Sequence, residues 1–426
     1  MKKFKLATAA LAAAMSVSVF SPFTTQAQEE PVEVTFWHAM NGPHQEMITE
    51  LVEGFNESQD QYVVVEQNQG DYSTLSQSIM ASGVSGDLPT LAQLTSSNTP
   101  DYRDQGLLTP LDAYLTEENG WSQELKDGIF EGFMTGVTYE DGIYAMPFSK
   151  SVRLMYVNQD LLDEVEAEIP RTWEEVKALG EALDEAGIEN EAMGLENSIS
   201  MEVETMARQN GAEWISSDLS TVDIASETAV EPVNFIKDLI NNGHVRQAGE
   251  DGFMSGPFSQ GETALYIGSS AGLPHVLPGI EENSINMVTA EIPVFNEGEN
   301  LTLFAGNDLG VFASASEEER AGAAAFLAYL LEADNTAKWA IGTGYLPITK
   351  AGLETDLWQD YLAENPYVEA ASAELEYGQS QVPYVGSSEV FSEIELALEN
   401  IMINDADTQA EMQVIEDLVK GHLGVE

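Results

Sequence analysis

Between Val32 and Glu66 the spacing of apolar residues changes period twice, and this constrains the fold more than any other feature of the chain. Val32, Val34 and Phe36 alternate with polar residues, the period of a strand. Met47, Ile48, Leu51, Val52 and Phe55 then recur at helical spacing, and residues 62–66 return to a strand pattern. In the turn between, Asn41 suits a helix cap and Pro43 a first helical turn. A helix over 74–82 and a short apolar strand over 90–94 extend the order to βαβαβ. That order predicts a mainly parallel sheet, with ligands received beyond the carboxyl ends of its strands. The turn holding His38, Asn41 and Gly42 is therefore a candidate cleft rim, with Asn41 as a candidate contact, and Trp37 reads as core.

The later sequence keeps the alternation. Asp141-Gly142 marks a hairpin within 139–148, and a strand over 152–157 ends at Asn158. Thr172 followed by Glu175 is a capping box, which starts a helix and places Trp173 in the core. Helices are predicted over 202–211, 227–241 and 317–332, strands over 263–267, 286–292 and 309–313, and a helical tail from 389. Residues 256–261 and 268–272 read as loops.

The first residues read as an export signal. Lys2, Lys3 and Lys5 precede an Ala-rich apolar run over 6–20, and Thr25-Gln26-Ala27 fits a cleavage site, so a signal peptide over 1–27 is expected, cleaved near Ala27. The apolar run is too short for a membrane anchor. Removing 27 of the 426 residues leaves 399, enough for two domains with separate cores. With no cysteine, disulfides, thiol nucleophiles, thiolate metal sites and an N-terminal lipidated cysteine are all excluded.

The net charge is −57. The signal holds three of the 16 Lys and Arg and none of the 73 Asp and Glu. The exported chain therefore carries about −60. Such a surface repels nucleic acid and anionic membranes, while 43% hydrophobic residues argue against disorder. We read it as a solvated surface suited to a salty, halophilic setting where counterions screen self-repulsion. Cations are so few that an anionic ligand must use one of them, or backbone N–H groups at a helix start.

Four marks then occur in order across nearly the whole exported chain. They are Phe36-Trp-His38 before a helix; Gly142-Ile-Tyr-Ala-Met-Pro-Phe148 followed by Leu154-Met-Tyr-Val-Asn158; Pro170-Arg-Thr-Trp-Glu-Glu175 opening a helix; and Thr343-Gly-Tyr-Leu-Pro-Ile-Thr349, the most specific. Together they resemble the extracellular solute-binding proteins of ABC transporters, a family of sugar and glycerol-phosphate binders. The resemblance implies an α/β, two-lobed periplasmic-binding-protein fold with an interlobe ligand cleft and multiple crossovers. It implies a first lobe over 28–138 plus 290–342 and a second over 139–289 plus 343–426. It also implies a monomer without enzymatic activity, metal or cofactor. Such a protein closes by a hinge on a small polar solute in the periplasm and hands it to a membrane permease. The solute implied is glycerol-3-phosphate or a related glycerophosphodiester, with a sugar or polyol as the alternative.

By the same resemblance Tyr72, Ser151 and Tyr345 fall on ligand positions. Ser96 stands where glycerol-phosphate binders have a Glu, and no Arg follows Arg320, so the C-terminal phosphate anchor of those proteins is absent from the matching stretch Pro383-Tyr-Val-Gly-Ser-Ser387. Lys150 and Arg153, which flank Ser151, are candidate replacements, with a carboxylate pair as the plainer reading of Arg153. Ser269 and Ser270 offer hydroxyls and N–H groups to an anion, and Gly306 would let backbone approach a ligand. Trp37, Trp173, Trp214, Tyr72 and Tyr345 are the aromatic surfaces a sugar would want.

An enzyme reading rests on Gly268-Ser-Ser-Ala-Gly272, which matches a nucleophile elbow with Ser270 as nucleophile. A helix should follow it, and Pro274 and Pro278 argue for none. His38 and His44 are six residues apart, which does not suit a metal site on one helix face. No Walker or Gly-x-Gly-x-x-Gly motif is present.

Overall fold

The structure, a computed structural model, describes residues 30–425; the expected signal peptide lies outside them. Strand β1 (Val32–His38), helix α1 (Pro43–Ser58), β2 (Tyr62–Asn68), α2 (Tyr72–Ser85) and β3 (Leu91–Leu94) follow the order read from the spacing. β1 runs parallel to both β2 and β3. Val34 and Phe36 face inward, and α1 buries Ile48, Leu51, Val52 and Phe55 against them. Each such side chain contributes about 1.5–3 kcal/mol of burial.

Two details of the turn differ from expectation. Asn41 does not cap α1. The cap position is Gly42 at φ 56, and the Asn41 amide donates instead to the Ala39 and Gly70 carbonyls at 3.2 and 3.1 Å. Trp37 is half-buried rather than core, because its Nε1 donates to Gln67 at 2.9 Å on the open face.

The next two strands, β4 (Ala145–Ser151) and β5 (Arg153–Asn158), are separated by Val152 alone, yet belong to different sheets. The single strand expected over 152–157 thus begins one residue later, and the chain crosses between lobes at Val152. Residues 145–151, expected in the second lobe, are an edge of the first sheet, and Tyr345 and Ile348, also expected in the second lobe, pack into the core of the first. The ladder of 145–151 with the antiparallel strand from Ala305 decides the former.

The second lobe contains α3 (Trp173–Ala186), β6 (Glu191–Leu195), α4 (Ser200–Gln209), α5 (Glu227–Asn241), β7 (Val245–Gln247), β8 (Thr263–Ser269), α6 (Leu273–Asn283) and β9 (Met287–Ala290). Its sheet order is β9-β5-β8-β6-β7. The capping box is complete: the Thr172 hydroxyl accepts from Glu175 N, and the Glu175 carboxylate accepts from Thr172 N. Trp173 is buried behind it, as expected. The helix α6 was not expected. Pro274 occupies the first turn, where no N–H is needed, and the helix tolerates Pro278 in its interior.

β10 (Ala305–Val311) returns to the first lobe and completes the order β2-β1-β3-β10-β4. It starts four residues earlier than periodicity predicted, because a register shift at Asn307/Asp308 breaks the alternation. α7 (Glu317–Leu330) and α8 (Ala333–Thr343) cover this lobe. The tail is two helices, α9 (Ser387–Ile403) and α10 (Thr408–Leu423), which pack on α4 and α5 of the second lobe. At its start α9 touches the opposite lobe: Gly386 N donates to Asp101 at 2.8 Å and the Ser387 hydroxyl to the Ser97 carbonyl at 2.9 Å.

Candidate ligand cleft

A cavity of about 660 Å³ lies between the lobes, walled by residues from both. The first-lobe wall is phenolic. Tyr72 opens α2, whose start is fixed by Asp71 accepting from Thr74 N at 2.7 Å. Tyr72 is 37% exposed and lines the cleft, and its hydroxyl accepts from Asn307 Nδ2 at 2.8 Å. That leaves the phenol proton available to a third group. Tyr345, just past α8, is buried beside Tyr72 and stacks on Trp339 at 5.9 Å and 7°. Burial raises the pKa of both phenols, so both stay protonated.

The second-lobe wall is charged. Arg153, first in β5, donates from Nε and Nη2 to one oxygen of Glu202 at 2.6 and 2.5 Å, and more weakly to the Ile267 carbonyl. Glu202 sits in the first turn of α4 and is 3% exposed, and its second oxygen, Oε2, has no partner. Tyr266 on β8 donates its hydroxyl to Glu196 and stacks on Tyr156 at 5.1 Å. Burial and the Glu196 charge keep its pKa well above the usual phenol value. Exposed Phe253 and Phe391 also line the cavity, as does His275.

Of the residues singled out from the sequence, the structure brings Tyr72, Tyr345, Arg153 and Ser269 to this cavity. The Ser269 hydroxyl already accepts from Ala271 N at 3.2 Å. Ser270 is not on the wall. Its hydroxyl accepts from Val152 N and its N–H donates to the Val152 carbonyl, so both groups are consumed at the lobe crossing. Lys150 is buried inside the first lobe, with Nζ 2.6 Å from Asp308. Ser151 is buried in the β4–β10 ladder. Gly306 is required for packing within that ladder: its φ is 112°, and a Cβ would lie 1.8 Å from the Ser149 carbonyl oxygen. Asn41 stays on the turn.

Ser96 lies in a separate space of about 60 Å³, which Ser97, Glu204, Pro383, Tyr384 and Ser387 also line. The two stretches at which the sequence departs from glycerol-phosphate binders therefore meet each other. Glu202, Glu196, Tyr266 and Asn307 escaped the sequence reading. Among 73 acidic residues a single Glu carries no signal, and only its place in the first turn of a helix distinguishes Glu202.

Comparison with known proteins agrees with this geometry. The model for bacterial extracellular solute-binding proteins matches residues 50–365. The chain is 26% identical over 378 residues to the sn-glycerol-3-phosphate-binding periplasmic protein UgpB of Brucella melitensis, spanning 85% of this chain and 84% of that one. It resembles the structure of UgpB from Mycobacterium tuberculosis in complex with glycerophosphocholine, with TM-score 0.81, 22% identity, and 92% and 98% of the two chains covered. The cyclic alpha-maltosyl-1,6-maltose binding protein of Arthrobacter globiformis aligns with TM-score 0.78, 22% identity and coverage of 92% and 99%. Proteins of this kind bind a small molecule and deliver it to an ABC permease; they are not enzymes, and the Ser270 hydrolase reading falls. A two-lobed α/β chain with a walled interlobe cavity, matched by the family model over most of its length, belongs to the bacterial extracellular solute-binding proteins.

Proposed function

We propose that this chain is the periplasmic receptor of an ABC importer for a glycerophosphodiester. The observation that carries the reading is the cavity itself: about 660 Å³, within the size range of small-molecule sites, with Tyr72 and Tyr345 on one lobe facing Arg153 and Tyr266 on the other. A ligand touching both walls binds the closed form better than the open one, which couples occupancy to hinge closure. The similarity to UgpB proteins supports a glycerol-phosphate headgroup. Glycerol-3-phosphate itself fits less well. The residues that line the cavity include one guanidinium and no lysine, and that guanidinium is already held by Glu202.

A second reading, a neutral sugar or polyol, is favoured by the aromatic side chains on both walls, Tyr72 and Tyr345 on one and Tyr266 and Phe253 on the other. A thermal-shift panel of glycerophosphocholine, glycerophosphoethanolamine, glycerol-3-phosphate, maltose and glycerol separates the two. A ligand at a hundred times its Kd stabilises the native state by about 2.7 kcal/mol. Stabilisation by maltose and by no phosphodiester would replace the first reading with the second.

A further inference from the structure

The start of α9 has a helix cap that its own turn does not complete. Gly386 stands at the cap position and receives no side-chain cap from its neighbours. Glu389 occupies the third helical position, from which a carboxylate ordinarily reaches back to the cap N–H. Here it lies exposed beside His422 instead, 3.7 Å from Nε2. The Gly386 N–H goes to the Asp101 carboxylate of the first lobe, at 2.8 Å. The Ser387 hydroxyl donates to the Ser97 carbonyl, also in the first lobe, at 2.9 Å. An acid of one lobe thus completes a helix of the other.

Both sides of this contact are anchored in separate cores. Asp101 lies on the short helix Thr99–Asp104, between buried Pro100 and Tyr102, and Tyr102 packs with Leu75, Ile79 and Phe312 of the first lobe. Gly386 and Ser387 lie between Tyr384 and Val390, both in the second-lobe core. Neither side can follow the other when the lobes part. A hydrogen bond of this kind is gone by about 3.6 Å, so less than about one ångström of opening breaks both bonds. Among the described residues the Asp101 side chain has no hydrogen-bond partner within its own lobe, so its bonding serves the closed arrangement. The contact borders the ligand cavity without entering it. Ser97 and Ser387 line the small space of about 60 Å³, and Phe391, one turn further along α9, lines both that space and the cavity.

We infer that Asp101 is a closure latch: its carboxylate caps α9 across the cleft in the closed form and is released to water in the open one. This rests on the receptor reading, in which hinge closure accompanies binding, and adds a residue that sets affinity without touching the ligand. A bond made only in the closed form raises the closed population, and apparent affinity rises with the population of the competent state. The bond is charge-assisted and lies at the positive end of a helix, which makes it one of the stronger kind. Its effect is the same for every ligand, because no ligand takes part in it. A residue on the cavity wall would instead change the preference between ligands.

The test is single-molecule energy transfer on the full exported chain. The chain has no cysteine, so Glu57→Cys on α1 and Glu181→Cys on α3, both exposed, place one dye on each lobe. Asp101→Ala is expected to lower the closed-to-open ratio of the unliganded chain, and to weaken glycerophosphocholine and maltose, whichever binds, by about tenfold. Asp101→Asn keeps an acceptor without the charge and is expected to lose about threefold. Ser387→Ala removes the second bond and is also expected to lose about threefold, so the latch can be read even if the Asp101 variants fold poorly.

Urea unfolding of each variant is the control. Lower stability with a closed-to-open ratio unmoved, ligand-free and with any probe that binds, gives Asp101 a structural role and overturns the latch. Losses that differ about tenfold between two bound ligands place Asp101 in ligand recognition and overturn it as well. If neither probe binds the wild type, the ligand reading fails, while the distribution of the unliganded chain still decides the latch.

Discussion

Lys150 and Arg153 stand on either side of the crossing at Val152, and each holds a buried carboxylate. Lys150 pairs with Asp308 inside the first lobe at 2.6 Å, and the acid is fully buried. Arg153 pairs with Glu202 at the second-lobe wall, and that pair opens on the cavity. From sequence the two cations looked equivalent as anion anchors. Their surroundings separate them. One pair is sealed and its role is structural, while the other borders the cavity. Breaking a buried pair strands a charge, whereas a pair beside a cavity can recruit water.

The largest expected effect follows from the sealed pair. Lys150→Met leaves Asp308 without a counter-charge and should cost about 3–5 kcal/mol in urea unfolding. Its pH dependence has a definite sign. Burial already raises the Asp308 pKa, with Lys150 opposing, so removing Lys150 raises it further. The folded state then binds a proton that the unfolded state has released, and stability falls as pH rises through that window. The deficit should shrink towards acid pH. A deficit that grows on acidification would show that Asp308 is not the stranded group.

Arg153→Met should cost less, about 2–3 kcal/mol, because Glu202 borders a cavity that water can enter. It should also weaken ligand binding, which Lys150→Met should leave unchanged apart from stability. If Arg153→Met proves the more destabilising, the distinction between sealed and open pairs is wrong.

A third change probes the opposite wall. Asn307 sits on the register shift beside Asp308 and donates to the Tyr72 hydroxyl. Asn307→Ala should cost about 1–2 kcal/mol, from a lost buried hydrogen bond and a small void. Affinity should fall by about threefold to tenfold, since Tyr72 is no longer held. Titration against Tyr72→Phe tests the route: if Asn307 acts through that hydroxyl, the double variant should lose little more than either single one.

The fold was legible where one local pattern decided it. The change of period between Val32 and Glu66 foretold the βαβαβ start, and Thr172 with Glu175 foretold the capping box. The site was legible in part, through Tyr72, Tyr345, Arg153 and Ser269. Tyr72 and Tyr345 reached the cavity, whereas Ser151, Ser270 and Lys150 were taken up by partners distant in sequence. Such partners leave no local trace. Val152 is a single apolar residue between Ser151 and Arg153, and nothing nearby marks it as the passage between sheets. Ser96 and 383–387 are almost three hundred residues apart, so their meeting around one small space could not be read from either stretch.

The smallest expected effect concerns a third buried acid, which lies close enough to Arg153 to feel its charge. Glu374 is fully buried; one oxygen accepts from Ile292 N at 3.2 Å and the other has no partner. Burial is the main cause that holds its pKa well above the usual carboxylate value, and the charge of Glu291 adds to it. With a raised folded pKa, its contribution is fully favourable below the unfolded value and is lost as pH rises through the folded one. Glu374→Gln stays neutral throughout, so it should match the wild type in acid and exceed it by about 1 kcal/mol at mildly alkaline pH, as expected when a buried charge is replaced by a neutral isostere. A stability profile measured by urea unfolding across that range decides the matter. If Glu374→Gln is instead less stable in alkali, Glu374 is ionised and uses Arg153 as its counter-charge. Arg153 would then be shared between two acids, and the open pair would be a triad with less charge to spare for the ligand.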